Sequence, residues 1–156
     1  MQIQLIAVGE RAPAWVQEAF RDYAARLGRD CRLVLREIPP AKRGKTSQSS
    51  QWCEEEGGRM LAAIPNNAHV VALDTQGWQW SSPELAAVLQ RWLAAGKPVS
   101  LLVGGPDGLS AACAQRADET WSLSKLTFPH PMVRVLIAEQ LYRAWSQLHH
   151  HPYHRE

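Results

Sequence analysis

Long apolar runs are missing from this chain of 156 residues. No stretch approaches the roughly 18 consecutive apolar residues that a membrane-spanning helix needs. The opening segment, MQIQLIAVGERAP, lacks the basic start of a secretory signal, and its apolar part is short and ends in Gly-Glu-Arg. We therefore expect a cytoplasmic protein with no membrane partner.

Cysteine is scarce as well. Cys31, Cys53 and Cys113 are widely spaced, odd in number and form no Cys-x-x-Cys pair. This spacing matches neither a zinc motif nor a disulfide framework, so it predicts three reduced thiols. Four histidines lie within residues 149–154, but no acidic or cysteine ligand completes a metal set there and Pro152 interrupts the spacing. We expect no metal ion.

Charge of one sign is not in large excess, because the formal net charge is only +2. This balance does not by itself indicate a nucleic-acid partner, so any RNA contact needs a local basic patch. Residues 41–50, AKRGKTSQSS, are small, polar and basic without apolar periodicity, which is typical of a surface loop. Lys42, Arg43 and Lys45 are the candidate phosphate contacts, and a solvated charged loop is the alternative.

Apolar runs of strand length alternate with helical patterns along the chain. Strands are predicted at 3–9, 31–38, 69–74, from 98 and at 118–122, and helices at 14–27, 51–64, from 83 to the stop at Gly96, after 109 and at 131–148. We find no internal repeat and no linker. The alternation predicts one α/β domain over residues 1–156, with a mostly parallel sheet flanked by helices.

Three loops follow predicted strands and have a composition that suits ligand binding. They are ALDTQG at 72–77, VGGPDG at 103–108 and SLSKLTF at 122–128. Ligands of open parallel sheets bind beyond the carboxyl ends of the strands, near a topological switch point. We therefore expect the three loops to gather at one edge of the sheet and to form a binding site.

The glycine-rich turn and two titratable residues each leave alternatives open. Gly104 lets backbone approach a ligand, or it serves a tight turn. The spacing is neither GxGxxG nor a P-loop, which disfavours a phosphate cradle and favours a neutral or cationic ligand. Asp74 either faces a ligand or caps the following turn. His130, between two prolines, is interpreted as a structural histidine, with a catalytic role as the alternative.

Three segments, in this order, resemble a known family. LLVGGPDGLS, WSLSKLTFPHPMVRVLIAEQLYRAW and HHPYHRE are similar to the RlmH family of bacterial ribosomal RNA large-subunit pseudouridine N3-methyltransferases, which belong to the SPOUT class. The resemblance covers the whole chain and includes LIAVG near the start and KRGK in the basic loop. It departs at 76–78, Gln-Gly-Trp, where the family commonly has Gly followed by a basic residue.

The resemblance implies a SPOUT fold with a deep trefoil knot in its C-terminal part, whose loop at 122–128 walls a pocket for S-adenosylmethionine. It also implies a homodimer formed through the last helix, and a substrate in ribosomal RNA of the assembled ribosome. Carried over by position, the cofactor contacts are Leu73, Gly104, Leu123, Ser124, Lys125, Leu126, Thr127 and Phe128.

Methylation of an imide nitrogen needs orientation of the two reactants and removal of a proton, and it needs neither a metal nor a covalent cysteine. We predict that Tyr153, His154 and Arg155 reach the target nucleotide, within one chain or across the dimer. His154 is the expected proton acceptor, and Arg155 is expected to hold negative charge. Two rival functions remain, another SPOUT activity such as 2′-O-methylation and a ribosome-associated protein with an inactive pocket.

Overall fold

The computed structural model describes residues 1–44 and 48–155. Within these ranges, five strands alternate with five α-helices, and a 3₁₀ helix at Pro152–Arg155 follows. The strands are β1 (Gln2–Val8), β2 (Arg32–Ile38), β3 (His69–Trp78), β4 (Val99–Val103) and β5 (Glu119–Trp121). The helices are α1 (Ala14–Arg26), α2 (Ser49–Ala63), α3 (Ser82–Ala95), α4 (Ala111–Arg116) and α5 (His130–Leu148).

The strands form one sheet in the order β2-β1-β4-β3-β5, and every neighbouring pair is parallel. Leu5 of β1 lies opposite Leu35 of β2 on one side and Leu101 of β4 on the other. All five residues of β4 are buried, as expected for a strand that helices cover on both faces. The predicted α/β architecture is therefore confirmed.

Alternation along the strands divides the apolar side chains between two cores. Leu5 and Leu101 join the core that includes residues of α1, α3 and α5, whereas Ile6 and Leu102 join the core that includes residues of α2 and α4. Successive residues of a strand point to opposite faces, so two adjacent leucines in β4 serve both layers. The larger core contains Ile137 of α5, which fixes this last helix against the sheet.

Local signals set both ends of α3, and the stop at Gly96 is the predicted one. The hydroxyl of Ser81 accepts a hydrogen bond from the backbone N–H of Glu84 at 3.2 Å, and the Glu84 carboxylate accepts one from the backbone N–H of Ser81 at 2.7 Å. Gly96 ends the helix with φ of 69°, a left-handed conformation that glycine adopts without a steric cost. The two reciprocal hydrogen bonds between Ser81 and Glu84 form a capping box at the start of the helix.

Strand β3 differs from its prediction, which ended the strand at Asp74 and placed a turn at Gly77. The strand continues to Trp78, with a shift of register between Leu73 and Trp78 where it pairs with β5. A Cβ atom on Gly77 would lie 2.7 Å from the carbonyl carbon of Thr120. Glycine is therefore needed here because two strands approach closely at an irregularity, a role that glycine often has inside strands.

Two further expectations from the sequence were the absence of a membrane-spanning helix and the presence of a trefoil knot. None of the helices in the described ranges is long and apolar enough to span a bilayer. The trefoil knot depends on how the chain threads through its own loops, and it stays a prediction.

Candidate functional site

A pocket of about 590 Å³ lies beyond the carboxyl ends of β3, β4 and β5, a volume in the range of small-molecule sites, roughly 300–1,000 Å³. Its lining comes from residues 73–75, 103–106, 108–109, 121–124, 126–130 and 133. The three loops that the sequence predicted at one edge of the sheet therefore do meet there. Their convergence follows from the parallel order of the strands, whose carboxyl ends share one edge.

The glycine-rich turn after β4 presents bare backbone to this pocket. A Cβ atom on Gly104 would lie 2.5 Å from both the carbonyl carbon and the oxygen of Gly108, and 2.8 Å from the nitrogen of Leu109. Gly108 has φ of 82°, and Gly105 pairs with it in a short antiparallel bridge. Gly104 therefore serves a tight turn whose backbone forms part of the pocket wall, and its approach to a ligand stays a prediction.

The loop after β5 is folded by its own hydroxyl groups. Ser122 Oγ donates to the carbonyl oxygen of Ser124 at 3.0 Å, and Ser124 Oγ accepts from the N–H of Leu126 at 3.0 Å. Of the predicted cofactor set, Leu73, Gly104 and five of the six residues at 123–128 line the pocket, whereas Lys125 is exposed and lies outside the lining. Leu126 is 68% exposed although it borders the cavity. That these residues bind a cofactor stays a prediction.

Charge is sparse in the pocket. Among its lining residues the ionisable side chains are Asp74 and His130, and none is a lysine or arginine. The exposed Asp74 accepts the backbone N–H of Gln76 at 2.9 Å, so it caps the following turn while it also borders the cavity. A site without basic side chains suits a neutral or cationic ligand better than a phosphate, in agreement with the spacing of the glycines.

His130 lies at the start of α5 and lines the pocket, held against the end of β1. Arg134, one turn further along α5, is buried, donating from Nη2 to the carbonyl oxygen of Gly9 at 2.8 Å and from Nη1 to Glu37 at 3.1 Å. Burial and the Arg134 charge lower the pKa of His130 below its ordinary value. The structural interpretation of His130 is thus incomplete, since the imidazole borders the cavity.

The basic loop is attached to the glycine-rich turn through Arg43. Its guanidinium donates to Asp107 at 2.7 Å, lies 4.5 Å from the centre of the Trp52 ring, and is 4.0 Å from the buried carboxylate of Glu56. Glu56 in turn accepts the backbone N–H of Ala41 at 3.1 Å. Sequence reasoning missed this connection, because the residues it joins are 64 positions apart. Arg43 therefore has a structural role beside its predicted RNA contact.

The other two predicted RNA contacts are Lys42 and Lys45. Lys42 is exposed on the surface of the same loop. Lys45 lies outside the described residues. An RNA-binding role for all three basic residues stays a prediction.

The C-terminal tail packs on α5 and α1, away from the pocket of its own chain. Tyr153 donates its hydroxyl hydrogen bond to Glu139 at 3.0 Å, and its ring lies 4.6 Å from that of Tyr142 and 5.0 Å below the Arg143 guanidinium. Glu139 lies nine residues after His130, an axial rise of about 14 Å at 1.5 Å per residue. Tyr153, His154 and Arg155 are absent from the pocket lining.

Two of the four tail histidines, His149 and His151, make separate contacts. His149 stacks on Trp145 at 4.2 Å and lies 3.1 Å from an oxygen of Asp30. His151 accepts the backbone N–H of Tyr153 at 3.2 Å. Among residues 1–44 and 48–155, no group of three His, Cys, Asp or Glu side chains is arranged to hold a metal ion.

Comparison with known proteins identifies the family. The family profile described as "Predicted SPOUT methyltransferase" matches residues 1–154. The chain belongs to the SPOUT methyltransferases. Members of this family transfer a methyl group, so the chain is an enzyme that needs a methyl donor, and the pocket at the carboxyl edge is the candidate site for that donor.

Two relatives of this SPOUT methyltransferase match it along its whole length. The protein named ribosomal RNA large subunit methyltransferase H from Methylococcus capsulatus is 59% identical over 155 residues, which is 99% of this chain and 100% of the relative. The protein of the same name from Thioalkalivibrio sulfidiphilus is 58% identical over 156 residues and all of both chains. The resemblance found in the sequence motifs is thereby confirmed.

A solved structure supports the fold. A probable methyltransferase from Bordetella pertussis superposes with a TM-score of 0.58 at 17% identity, covering 92% of this chain and 95% of that one. At this low identity the similarity concerns the fold alone.

Proposed function

We propose that this SPOUT methyltransferase methylates large-subunit ribosomal RNA at N3 of a pseudouridine on the assembled ribosome, with S-adenosylmethionine as the donor. The observation that carries the proposal is the 59% identity, over 99% of the chain, to a protein named for large-subunit ribosomal RNA methylation. The N3 position and the donor come from the resemblance of the glycine turn, the loop at 122–128 and the tail.

The pocket fits S-adenosylmethionine by volume and chemistry. Leu73 and Leu123 offer apolar surface for an adenine ring, and the bare backbone at Gly104 offers peptide groups for its polar edge. The lining carries no lysine or arginine that would repel a sulfonium. When bound, S-adenosylmethionine supplies an electrophilic methyl group. Leu73, Gly104 and residues 123–128 are the proposed contacts, with Lys125 at the rim.

A second copy of the chain is proposed to complete the site. Tyr153, His154 and Arg155 lie on the flank of α5, not at the pocket of their own chain. In a homodimer, the tail of one protomer meets the pocket of the other, where the aromatic ring stacks on a base and the guanidinium holds a phosphate. This arrangement brings every residue that the family resemblance singles out to one place.

The basic loop is proposed as the contact with ribosomal RNA phosphates. Lys42, Arg43 and Lys45 supply three positive charges on a protein whose net charge is only +2. So small a patch favours a substrate that other ribosomal surfaces help to present. We expect RNA affinity to fall with rising salt in proportion to the phosphates contacted.

A methylation assay tests the proposed function. Purified protein is incubated with methyl-labelled S-adenosylmethionine and with ribosomes, or free ribosomal RNA, from cells that lack the modification, and nucleosides are then identified by mass spectrometry. Label on N3 of pseudouridine in large-subunit RNA, with ribosomes alone as substrate, is the expected result. Label on a ribose 2′-oxygen would overturn the proposed N3 position of methylation. Cofactor binding without any label would indicate a binding protein with an inactive pocket.

The link between the basic loop and the glycine turn gives a separate prediction. Arg43→Met should weaken S-adenosylmethionine binding about threefold to tenfold, or roughly 1 kcal/mol, because the turn loses its ion pair with Asp107 at a partly exposed position. Isothermal titration calorimetry measures the change. Lys42→Met is the matched control, since it removes an equal charge from the same loop without touching the turn. Equal affinities for the two variants would show that the ion pair between Arg43 and Asp107 does not position the turn.

A further inference from the structure

The pocket contains one imidazole whose surroundings disfavour its protonated form. His130 and Asp74 are the ionisable side chains of the lining, and the exposed Asp74 is already engaged with the backbone of Gln76. His130 is half-buried at the first turn of α5, where the positive end of the helix dipole and the buried Arg134 both disfavour a second positive charge.

Arg134 lies against Gly9 at the end of β1, as His130 does. Its Nη2 and the Nε2 of His130 each lie 3.4 Å from the position that a Cβ atom on Gly9 would occupy. Gly9 has φ of 117°, and its carbonyl oxygen accepts from Arg134. The imidazole is thus confined between the end of β1 and the cavity. The guanidinium is itself held by hydrogen bonds to Gly9 and to Glu37, and it lies outside the pocket lining.

We propose that His130 is a catalytic residue that accepts the N3 proton of the target base, in the same chain whose loops hold the cofactor. This inference rests on the proposed function. It assigns proton removal to the pocket wall, and it leaves to the tail the binding of the nucleotide. His154 was the expected acceptor from the sequence, but in its own chain it lies on the flank of α5.

The proposed step balances without any further reactant. The proton leaves N3 for the imidazole of His130, and the N–H bonding pair stays on nitrogen. That pair forms the new bond to the methyl carbon, while the carbon–sulfur pair remains on sulfur. The imidazolium then returns its proton to water through the open side of the pocket. A neutral imidazole suits this role, because general-base catalysis needs an acceptor that is unprotonated near working pH.

The charged groups around His130 set the expected pH dependence. Arg134 faces it from α5, Glu37 of β2 lies behind Arg134, and Asp74 of β3 borders the same cavity. The pKa of His130 is lowered by burial and by Arg134. Turnover should therefore rise with pH, with its half-maximal point below the ordinary histidine pKa of about 6.5.

Single-turnover rates on ribosomes, measured over a range of pH, test the proposal with His130→Gln and His154→Gln. The matched control is His69→Gln, which alters a histidine at the start of β3, at the end of the strand away from the pocket. We expect His130→Gln to slow methyl transfer at least about 100-fold and to lose the acidic limb of the profile, as for removal of a general base. Calorimetry should show S-adenosylmethionine affinity within about threefold of the wild type. His69→Gln should keep both the wild-type rate of methyl transfer and the acidic limb of the pH profile.

A second measurement does not depend on activity. Nuclear magnetic resonance of ¹³C-labelled histidine in the cofactor-free protein should give His130 a titration midpoint below about 6.5. A midpoint above that value would overturn the proposal, as would a His130→Gln rate within threefold of wild type or loss of the acidic limb in His154→Gln alone. If the wild-type protein labels no RNA, the proposed function fails as well. An active wild type beside an active His130→Gln overturns only the role of His130.

Discussion

Replacing Gly104 with alanine should strongly weaken S-adenosylmethionine binding, and slow methyl transfer at cofactor concentrations that do not saturate the variant. The added Cβ would lie 2.5 Å from two backbone atoms of Gly108 and 2.8 Å from the nitrogen of Leu109. Backbone cannot rotate away as a flexible side chain can, so the turn must open and move the peptide groups that face the cavity. We expect affinity to fall at least about 30-fold, which corresponds to roughly 2 kcal/mol, measured by calorimetry.

Gly58→Ala is the matched control for this change. Gly58 lies in α2 with no neighbouring atom within 4 Å of an added Cβ, and alanine is the better helix former. That variant should bind the cofactor normally and gain about 0.5–1 kcal/mol in the free energy of unfolding. Thermal unfolding of both variants separates a local change in the turn from a loss of fold. A folded Gly104→Ala protein with normal affinity would show that the turn is only a connection between β4 and α4.

The sheet was predictable because each of its signals is local. Ser81 and Gly96 mark the ends of one helix through contacts within a few residues, and the paired leucines 101–102 indicate a strand buried on both faces. The extension of β3 was not predictable, because Gly77 fits only against Thr120, more than forty residues later. A glycine after an aspartate suggests a turn whenever the partner strand is unknown.

The candidate site also has features that were predictable from the sequence and features that were not. Its three loops were predicted together, since strand order in a parallel sheet places their ends on one edge, but the contacts between elements were not. Nothing near Arg43 indicates that Asp107 is its partner, and nothing near His130 indicates that Gly9 confines it. A lone histidine beside prolines suggests a structural role. Its position at the cavity is known only from the packing of β1 against α5.

Loss of the tail side chains should abolish methyl transfer and leave cofactor binding intact. Alanine at Tyr153, His154 and Arg155 together removes the proposed contacts with the nucleotide, and none of these residues lines the pocket in its own chain. We expect turnover on ribosomes to fall more than about 100-fold, with S-adenosylmethionine affinity within about threefold of wild type. A triple variant that retains activity would exclude the tail from the site.

Mixing two defective proteins, at a cofactor concentration that leaves the Gly104→Ala pocket empty, then decides which protomer's tail serves which pocket. The triple-alanine variant has an intact pocket, and Gly104→Ala has an intact tail. In a two-fold symmetric dimer whose tails act across the interface, each mixed dimer regains one working site, so random exchange of equal amounts should restore about a quarter of wild-type activity. If each tail served its own pocket, every site in the mixture would keep one defect and no activity would return. Since Tyr153 contacts Glu139 about 14 Å along the helix from His130, we expect restoration.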